Sequence, residues 1–403
     1  MKASRFIMAG LLFAVVATSL PGSAWAIPVF ARKYGFSCNM CHSNIPRLND
    51  FGMRYRENGY QLPGRENDEK TILEGPPPIA LRTSAGYAYE KYSNVPDAER
   101  TSHFMLNGLD ILSAGLLGPN IGYMFIYTPE IASSRNVEGQ QGNLEMASVV
   151  FSNVGTPWLN VRAGRFEPAY VAFSVKRQLS IAPRDIYDYG APGGVVLSET
   201  QTGIELSGYG PGFGRGYRVA YAAGLLNGSE TNQSGDEPAD FYGRLAWVIG
   251  DGEGESAGQR IGVMGYLGSA RADSLSWGTS RQSFYRVGVD ASLNAGVFNL
   301  ALQYLLGKDN KELWGYTEDP DFSGGFAELS VMPAVQWVVF ARYDMVKTPK
   351  QIDEDTSRVT AGARYYFVNN LALHLEYSRA TQNAKTGDDP ALNTAWARLD
   401  FAF

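Results

Sequence analysis

Over residues 335–346, Val335, Trp337, Val339, Ala341 and Tyr343 fall on one side of an alternating pattern, and Gln336, Arg342 and Asp344 on the other. Over 356–367, Val359, Ala361, Ala363, Tyr365 and Phe367 oppose Arg358, Thr360 and Arg364 in the same way. A period of two marks a β-strand, whose successive side chains point to opposite faces. The pattern predicts sixteen strands, at roughly 81–91, 101–113, 120–128, 143–153, 158–167, 198–209, 215–226, 239–249, 259–268, 282–293, 296–308, 324–332, 335–346, 356–367, 370–380 and 393–403. Tight connections, as at Leu293 to Gly296, Met332 to Val335 and Phe367 to Leu371, alternate with external loops of about nine to about thirty residues, the longest between Glu167 and Ser198. An even strand count with short turns at one end and long loops at the other predicts an outer-membrane barrel with both termini in the periplasm. Its apolar face would meet outer-membrane lipid and its polar face would line a lumen. The chain ends Leu399-Asp400-Phe401-Ala402-Phe403, and a terminal phenylalanine on an alternating strand resembles the signal by which such barrels are recognised for assembly.

Composition agrees with this reading. Forty-five Gly, 23 Tyr, 20 Phe and 7 Trp stand beside 19% charged residues and a mean hydropathy of -0.20. Many short Tyr-, Val- and Gly-rich segments suit a barrel better than a water-soluble core. The net charge of -6 argues against nucleic acid as a partner.

The chain opens with Lys2 and Arg5, an apolar run from Phe6 to Leu20, and Ala24-Trp25-Ala26. That is the layout of a secretory leader over residues 1–26, with the mature chain starting near Ile27. No later run reaches the roughly 18 apolar residues a transmembrane helix needs. Export leads to an oxidising compartment where disulfides are usual. The only two cysteines, Cys38 and Cys41, instead lie three apart and directly precede His42.

Cys-x-x-Cys-His is the attachment pattern of haem c. Two thiols one helical turn apart add to the two vinyl groups of one porphyrin edge, and the following histidine reaches the iron as proximal ligand. A zinc ribbon would need a second pair of cysteines, and a redox dithiol would need a βαβ setting. One covalent haem c on Cys38, Cys41 and His42 is therefore expected. Downstream, Pro46 can start a helix, Leu48, Phe51 and Tyr55 form its apolar face over the porphyrin, and Gly59 with Pro63-Gly64 ends it. Residues 27–78 then form a small helical c-type cytochrome unit, closed by the linker Pro76-Pro77-Pro78, with the barrel over 79–403. A unit of this size lacks an independent core, and wide barrels are often plugged from the N-terminus, so it is expected inside the lumen.

Alternation turns Arg162, Arg218, Arg244, Arg286, Arg342, Arg364 and Arg398 into the lumen, with Asp290, Asp344, Glu376 and Asp400. Most are expected to be a solvated wall, with one or two gripping haem propionates. Candidates for the distal ligand are His103 first, then Met53, Met105 and His374. Asp236-Glu237, Glu318-Asp319-Pro320-Asp321, Asp353-Glu354-Asp355 and Asp388-Asp389 keep the outer loops hydrated and would draw cations to the mouth.

The runs Pro28-Val29-Phe30-Ala31-Arg32, Cys38-Asn39-Met40-Cys41-His42, Pro46-Arg47-Leu48-Asn49, Phe51-Gly52 and Asn58-Gly59-Tyr60 resemble the fused monohaem cytochrome-porins, the outer-membrane iron-oxidising c-type cytochromes. The resemblance covers about forty residues; beyond them only barrel character and overall length match. It implies an electron-transfer protein, an iron:cytochrome c oxidoreductase in enzyme terms. Extracellular Fe(II), or another redox metal, would be oxidised, and the electron passed to a periplasmic c-type cytochrome or other carrier. Two alternatives stay open: the same conduit run outward to extracellular acceptors, and a passive porin with a haem-bearing plug.

Overall fold

Sixteen antiparallel strands, each paired with its neighbour in sequence, close on themselves in the computed structural model. It describes residues 29–402 apart from 37–39, 63–64, 66–69, 73, 75–77, 96–99, 130–141, 157, 171, 176–177, 191–194, 212–216, 229–238, 251–257, 274–278, 353, 369 and 385–388. The leader, Cys38, most of the proline linker, Asp236-Glu237, Asp353 and Asp388 lie outside the described residues.

The N-terminal segment holds α1 (Val29–Tyr34), β1 (His42–Asn44), β2 (Arg47–Leu48) and α2 (Asp50–Glu57). The barrel follows as β3 (Ile79–Ser93), β4 (Arg100–Gly118), β5 (Ile121–Thr128), β6 (Asn143–Phe151), β7 (Asn160–Phe166), β8 (Gln201–Pro211), β9 (Tyr217–Leu226), β10 (Asp240–Ile249), β11 (Gln259–Asp273), β12 (Thr279–Ala295), β13 (Phe298–Asp309), β14 (Asp321–Ala334), β15 (Trp337–Lys347), β16 (Glu354–Val368), β17 (Leu371–Ala384) and β18 (Ala391–Ala402). The last strand pairs with the first from Ala402 opposite Arg82 to Ala391 opposite Ser93, so no edge strand remains.

Every predicted strand is present and in order. Their outward positions carry exposed apolar side chains, among them Ile204, Leu206, Phe241, Leu245, Val263 and Val339, while Tyr242, Ala246 and Val248 of β10 are buried. A continuous apolar belt of this kind is incompatible with water and suits lipid. Exposed Phe151, Trp158, Trp247, Phe298 and Trp337 cluster at the short-turn ends of their strands, as an interfacial aromatic girdle does.

Two expectations need correction. The long connection 167–200, expected as an external loop, folds into the lumen. Its Tyr170, Phe173, Leu179, Ile186, Tyr187, Val195 and Leu197 are buried, and most join Tyr242, Tyr266, Phe284 and Phe326 of the wall in one apolar cluster. A short helix, α3 (Asp185–Asp188), lies within it. Arg342 holds the segment by donating to Ala182 O at 2.9 Å and to Ser180 Oγ and Pro183 O. Glu376 accepts from the Ile181 and Ala182 amides at 2.7 Å each.

The second correction follows from the first. With the lumen filled, the wall arginines are paired rather than solvated, because a guanidinium taken out of water needs a partner. Arg162 meets Glu205 at 2.5 Å, Arg244 meets Asp290 at 2.7 Å, Arg286 meets Asp309 at 2.6 Å, and Arg342 meets Asp344 at 2.7 Å. Asp400 takes both Arg364 and Arg398, at 3.2 and 2.6 Å.

Candidate functional site

The attachment pattern sits in a short turn that folds back on itself. His42 pairs with Leu48, and Asn44 with Arg47, in a two-strand ladder. The His42 ring is fixed by its Nδ1, which lies 3.1 Å from Pro46 O and 3.2 Å from Arg47 O. Carbonyls only accept, so Nδ1 carries the proton, and the lone pair of the neutral ring is at Nε2. Asn49 then ties the turn to α2. Its side chain donates to Met40 O at 3.0 Å and accepts from Gly52 N at 2.9 Å as the helix N-cap, and its amide donates to Cys41 O at 2.9 Å. The helix expected from Pro46 therefore starts at Asp50, because residues 46–48 are spent on the ladder and on His42.

Gly52 is what permits this contact. A Cβ there would lie 2.2 Å from Cys41 O, so any side chain must push the helix off the attachment turn. Gly52→Val is expected to cost about 1–3 kcal/mol of local stability. Hydrogen exchange at the Met53 and Asn58 amides, which bond to Asn49 O and Arg54 O, measures it. Unchanged protection would contradict the packing argument.

The segment is docked inside the short-turn end of the barrel. Asp50 is buried between Arg54 at 3.1 Å, Arg218 of β9 at 2.6 Å and Arg260 of β11 at 3.2 Å. Burial raises the Asp50 pKa, but the three guanidinium groups outweigh it and hold the carboxyl below its ordinary value. The Asn58-Gly59-Tyr60 run is a second dock. Asn153 Nδ2 donates to Asn58 Oδ1 at 3.2 Å, Asn160 Nδ2 to Glu57 O at 3.0 Å, and Gln61 Nε2 to Ser152 Oγ at 2.9 Å. Gly59 O would lie 2.2 Å from a Cβ on Gly122, so the bare Gly122 allows backbone against backbone, and Gly59 itself takes a φ of +66°. Tyr366 Oη closes the opposite side on Ile45 O at 3.3 Å.

Between this plug and the wall lies a cavity of about 370 Å³, within the range of cofactor sites. Cys41, His42, Arg47, Met53 and an aromatic group of Phe30, Tyr34, Phe36, Tyr55 and Tyr60 line it. Phe30 stacks on Tyr60 at 5.5 Å and meets Tyr55 edge-on at 5.2 Å, giving a flat apolar wall. Arg47 carries the telling feature: Nη1 and Nη2 are sealed from solvent and have no hydrogen-bond partner. Its guanidinium lies 4.6 Å from the Phe173 ring, and burial pulls its pKa down to about 10. An unpaired buried guanidinium costs about several kcal/mol, which an anionic guest would recover. A thiol, an oriented imidazole, an apolar wall and an unspent cation are the donor set a covalent haem with carboxylate side chains requires.

Residues 79–403 match the family described as phosphate-selective porin O and P. The chain belongs to that family. The same barrel occurs in solved structures of low identity. An anion-selective porin from Comamonas acidovorans shares 15% identity at a TM-score of 0.54, covering 81% of this chain and 99% of its own. The outer membrane channel DcaP of Acinetobacter baumannii shares 11% at 0.55, covering 81% and 97%. Pseudomonas putida OprB shares 11% at 0.52, covering 80% and 94%. At such identities the likeness speaks for the fold alone. No curated protein matches the sequence. The family places this porin in the bacterial outer membrane, and its matched region begins just after the plug.

Of the residues expected around the iron, this porin brings Cys41, His42 and Met53 to one cavity. His103 is not among them. It lies opposite Ala88, ten residues up β4 from the cavity-lining Ser113, about 30 Å away by strand rise. Met105, on the same face of β4, lies about 25 Å away. His374 is buried and spent: Arg364 Nη2 donates to its Nδ1 at 2.8 Å, and its Nε2 donates to Glu376 at 3.0 Å. The residue that sequence reasoning missed as a site residue is Arg47, which stood only as part of a motif.

Proposed function

We propose that this outer-membrane porin carries one haem c on its lumenal plug and moves electrons across the outer membrane. The observation that supports this reading most is the shared cavity of Cys41, His42 and Arg47 inside a barrel whose lumen also holds an apolar cluster of the inward-folded 167–200 connection. Cys38 and Cys41 supply the two thioether tethers. His42 presents Nε2 as axial ligand, with Pro46 and Arg47 carbonyls holding the ring. The aromatic wall of Phe30, Tyr34 and Tyr55 excludes water, and the barrel insulates the site from lipid. A haem held there supplies a one-electron Fe(III)/Fe(II) couple.

The resemblance of the N-terminal runs assigns Fe(II) as donor and a periplasmic cytochrome as acceptor. Glu318, Asp319 and Asp321, exposed at the long-loop end, favour approach of a cation. The same relay run outward would need a low potential, whereas iron oxidation needs a positive one.

A second reading has its own support. The family description, phosphate-selective porin, favours a channel, in which the N-terminal segment would be a passive plug. Mixing Fe(II) with the purified, oxidised, haem-loaded porin separates them. The relay predicts reduction of the visible bands; an oxidised spectrum that persists at every pH leaves the passive porin.

A further inference from the structure

Arg47 is joined to the site at both ends. Its carbonyl accepts from His42 Nδ1 at 3.2 Å, the residue lines the cavity, and its terminal nitrogens are sealed from solvent beside it without a hydrogen-bond partner. Phe173 covers the guanidinium at 4.6 Å, which holds the cation without using its edge donors. Of the neighbouring carboxylates, Glu328 acts on Arg47 through its charge but makes no hydrogen bond or ion pair with it. Glu328 lies between Arg184 at 3.7 Å and Arg342 at 3.8 Å, and Asp50 is shared by Arg54, Arg218 and Arg260. Two adjacent N–H donors in a fixed plane match the two oxygens of a carboxylate or phosphate.

We infer that Arg47 is an oxyanion receptor in the plug cavity, and that its guest is a propionate of the haem tethered beside it. The identity of the guest rests on the proposed haem; the receptor does not. Because the Arg47 carbonyl also holds the proximal histidine, the residue positions the iron ligand and the charge at the porphyrin edge together. Its positive charge disfavours Fe(III), so losing it lowers the potential.

The test uses the whole chain with covalent haem as wild type, Arg47→Gln and Arg47→Lys, titrated potentiometrically with and without inorganic phosphate. A heat-dependent gel shift serves as the check on the barrel. Arg47→Gln is expected to shift the Fe(III):Fe(II) ratio about tenfold toward Fe(III) at a fixed poise, a potential about 59 mV lower. Arg47→Lys, which keeps the charge but loses the planar fork, should recover most of that shift. Phosphate should leave the wild type unmoved. A wild-type potential that follows phosphate while Arg47→Gln does not would keep the receptor and replace its guest by free phosphate. Equal potentials for wild type and Arg47→Gln in both buffers overturn the inference. Absence of covalent haem from the wild type would be a failure of the proposed function alone. Calorimetry with inorganic phosphate then decides: heat in wild type but not in Arg47→Gln supports the receptor, and no heat in either overturns it.

Discussion

Asp50→Asn is expected to release the plug from the barrel wall while leaving the sixteen strands closed. The substitution keeps the shape of the side chain and removes the one negative charge shared by Arg54, Arg218 and Arg260. Arg218, part-exposed, and Arg260 are then left side by side with only Glu57, whose charge also acts on Arg260, and Tyr209 Oη at 2.9 Å from Arg260 to offset them. Breaking a buried pair from one side costs about 3 kcal/mol, or roughly a hundredfold in the docked population. Hydrogen exchange at the α2 amides should quicken by about that factor, with the β10 to β15 amides unchanged. Docking should also depend on pH. The Asp50 carboxyl is depressed in the folded state, so its contribution is full above the unfolded value of about 4 and is lost as pH falls through the folded value. Protection of α2 should therefore be flat above about pH 5 and decline below about pH 4 in the wild type, with that decline absent from Asp50→Asn. Protection that rises on acidification would sink the account of docking.

Replacing Cys38 and Cys41 together by Ala is expected to remove all covalent haem and all redox response to Fe(II), and to leave the barrel folded. The β3 to β18 ladder closes by strand pairing outside the segment that carries the two cysteines, so the heat-dependent gel shift should survive. Haem stain on a denaturing gel should vanish. His42→Ala isolates the other half of the chemistry: attachment should persist on the two thiols, with an altered spectrum because the axial nitrogen is gone. Stain that remains after the double cysteine replacement would show that the tether is elsewhere.

The barrel was legible because lipid on one side and a lumen on the other impose the same alternation on every strand. Val339 and Tyr343 outward against Arg342 and Asp344 inward is read as easily from the chain as from the coordinates. What the lumen contains was not legible. Tyr170, Phe173 and Tyr187 sit in a stretch with no period, and only the wall partners Arg342 and Glu376 show that it turns inward. The Cys-x-x-Cys-His pattern stood out in the sequence because thioether chemistry demands one spacing. The remainder of the site was not, since distance along a strand decides whether His103 reaches the cavity. Arg47 became conspicuous only once its nitrogens were seen to lack a partner. The glycines of the N-terminal runs have a similar history: Gly52 and Gly59 read as ordinary helix and turn residues, and the structure shows the Cys41 carbonyl pressed against Gly52 and a φ of +66° at Gly59.

The central claim is that one iron porphyrin is covalently attached to the plug of an outer-membrane porin. The intact mass of the mature chain, purified from outer membranes and denatured before measurement, tests it most directly. A mass exceeding that of the processed polypeptide by one iron protoporphyrin is the expected result. A mass equal to the polypeptide alone, from cells able to attach haem c to other proteins, would contradict it.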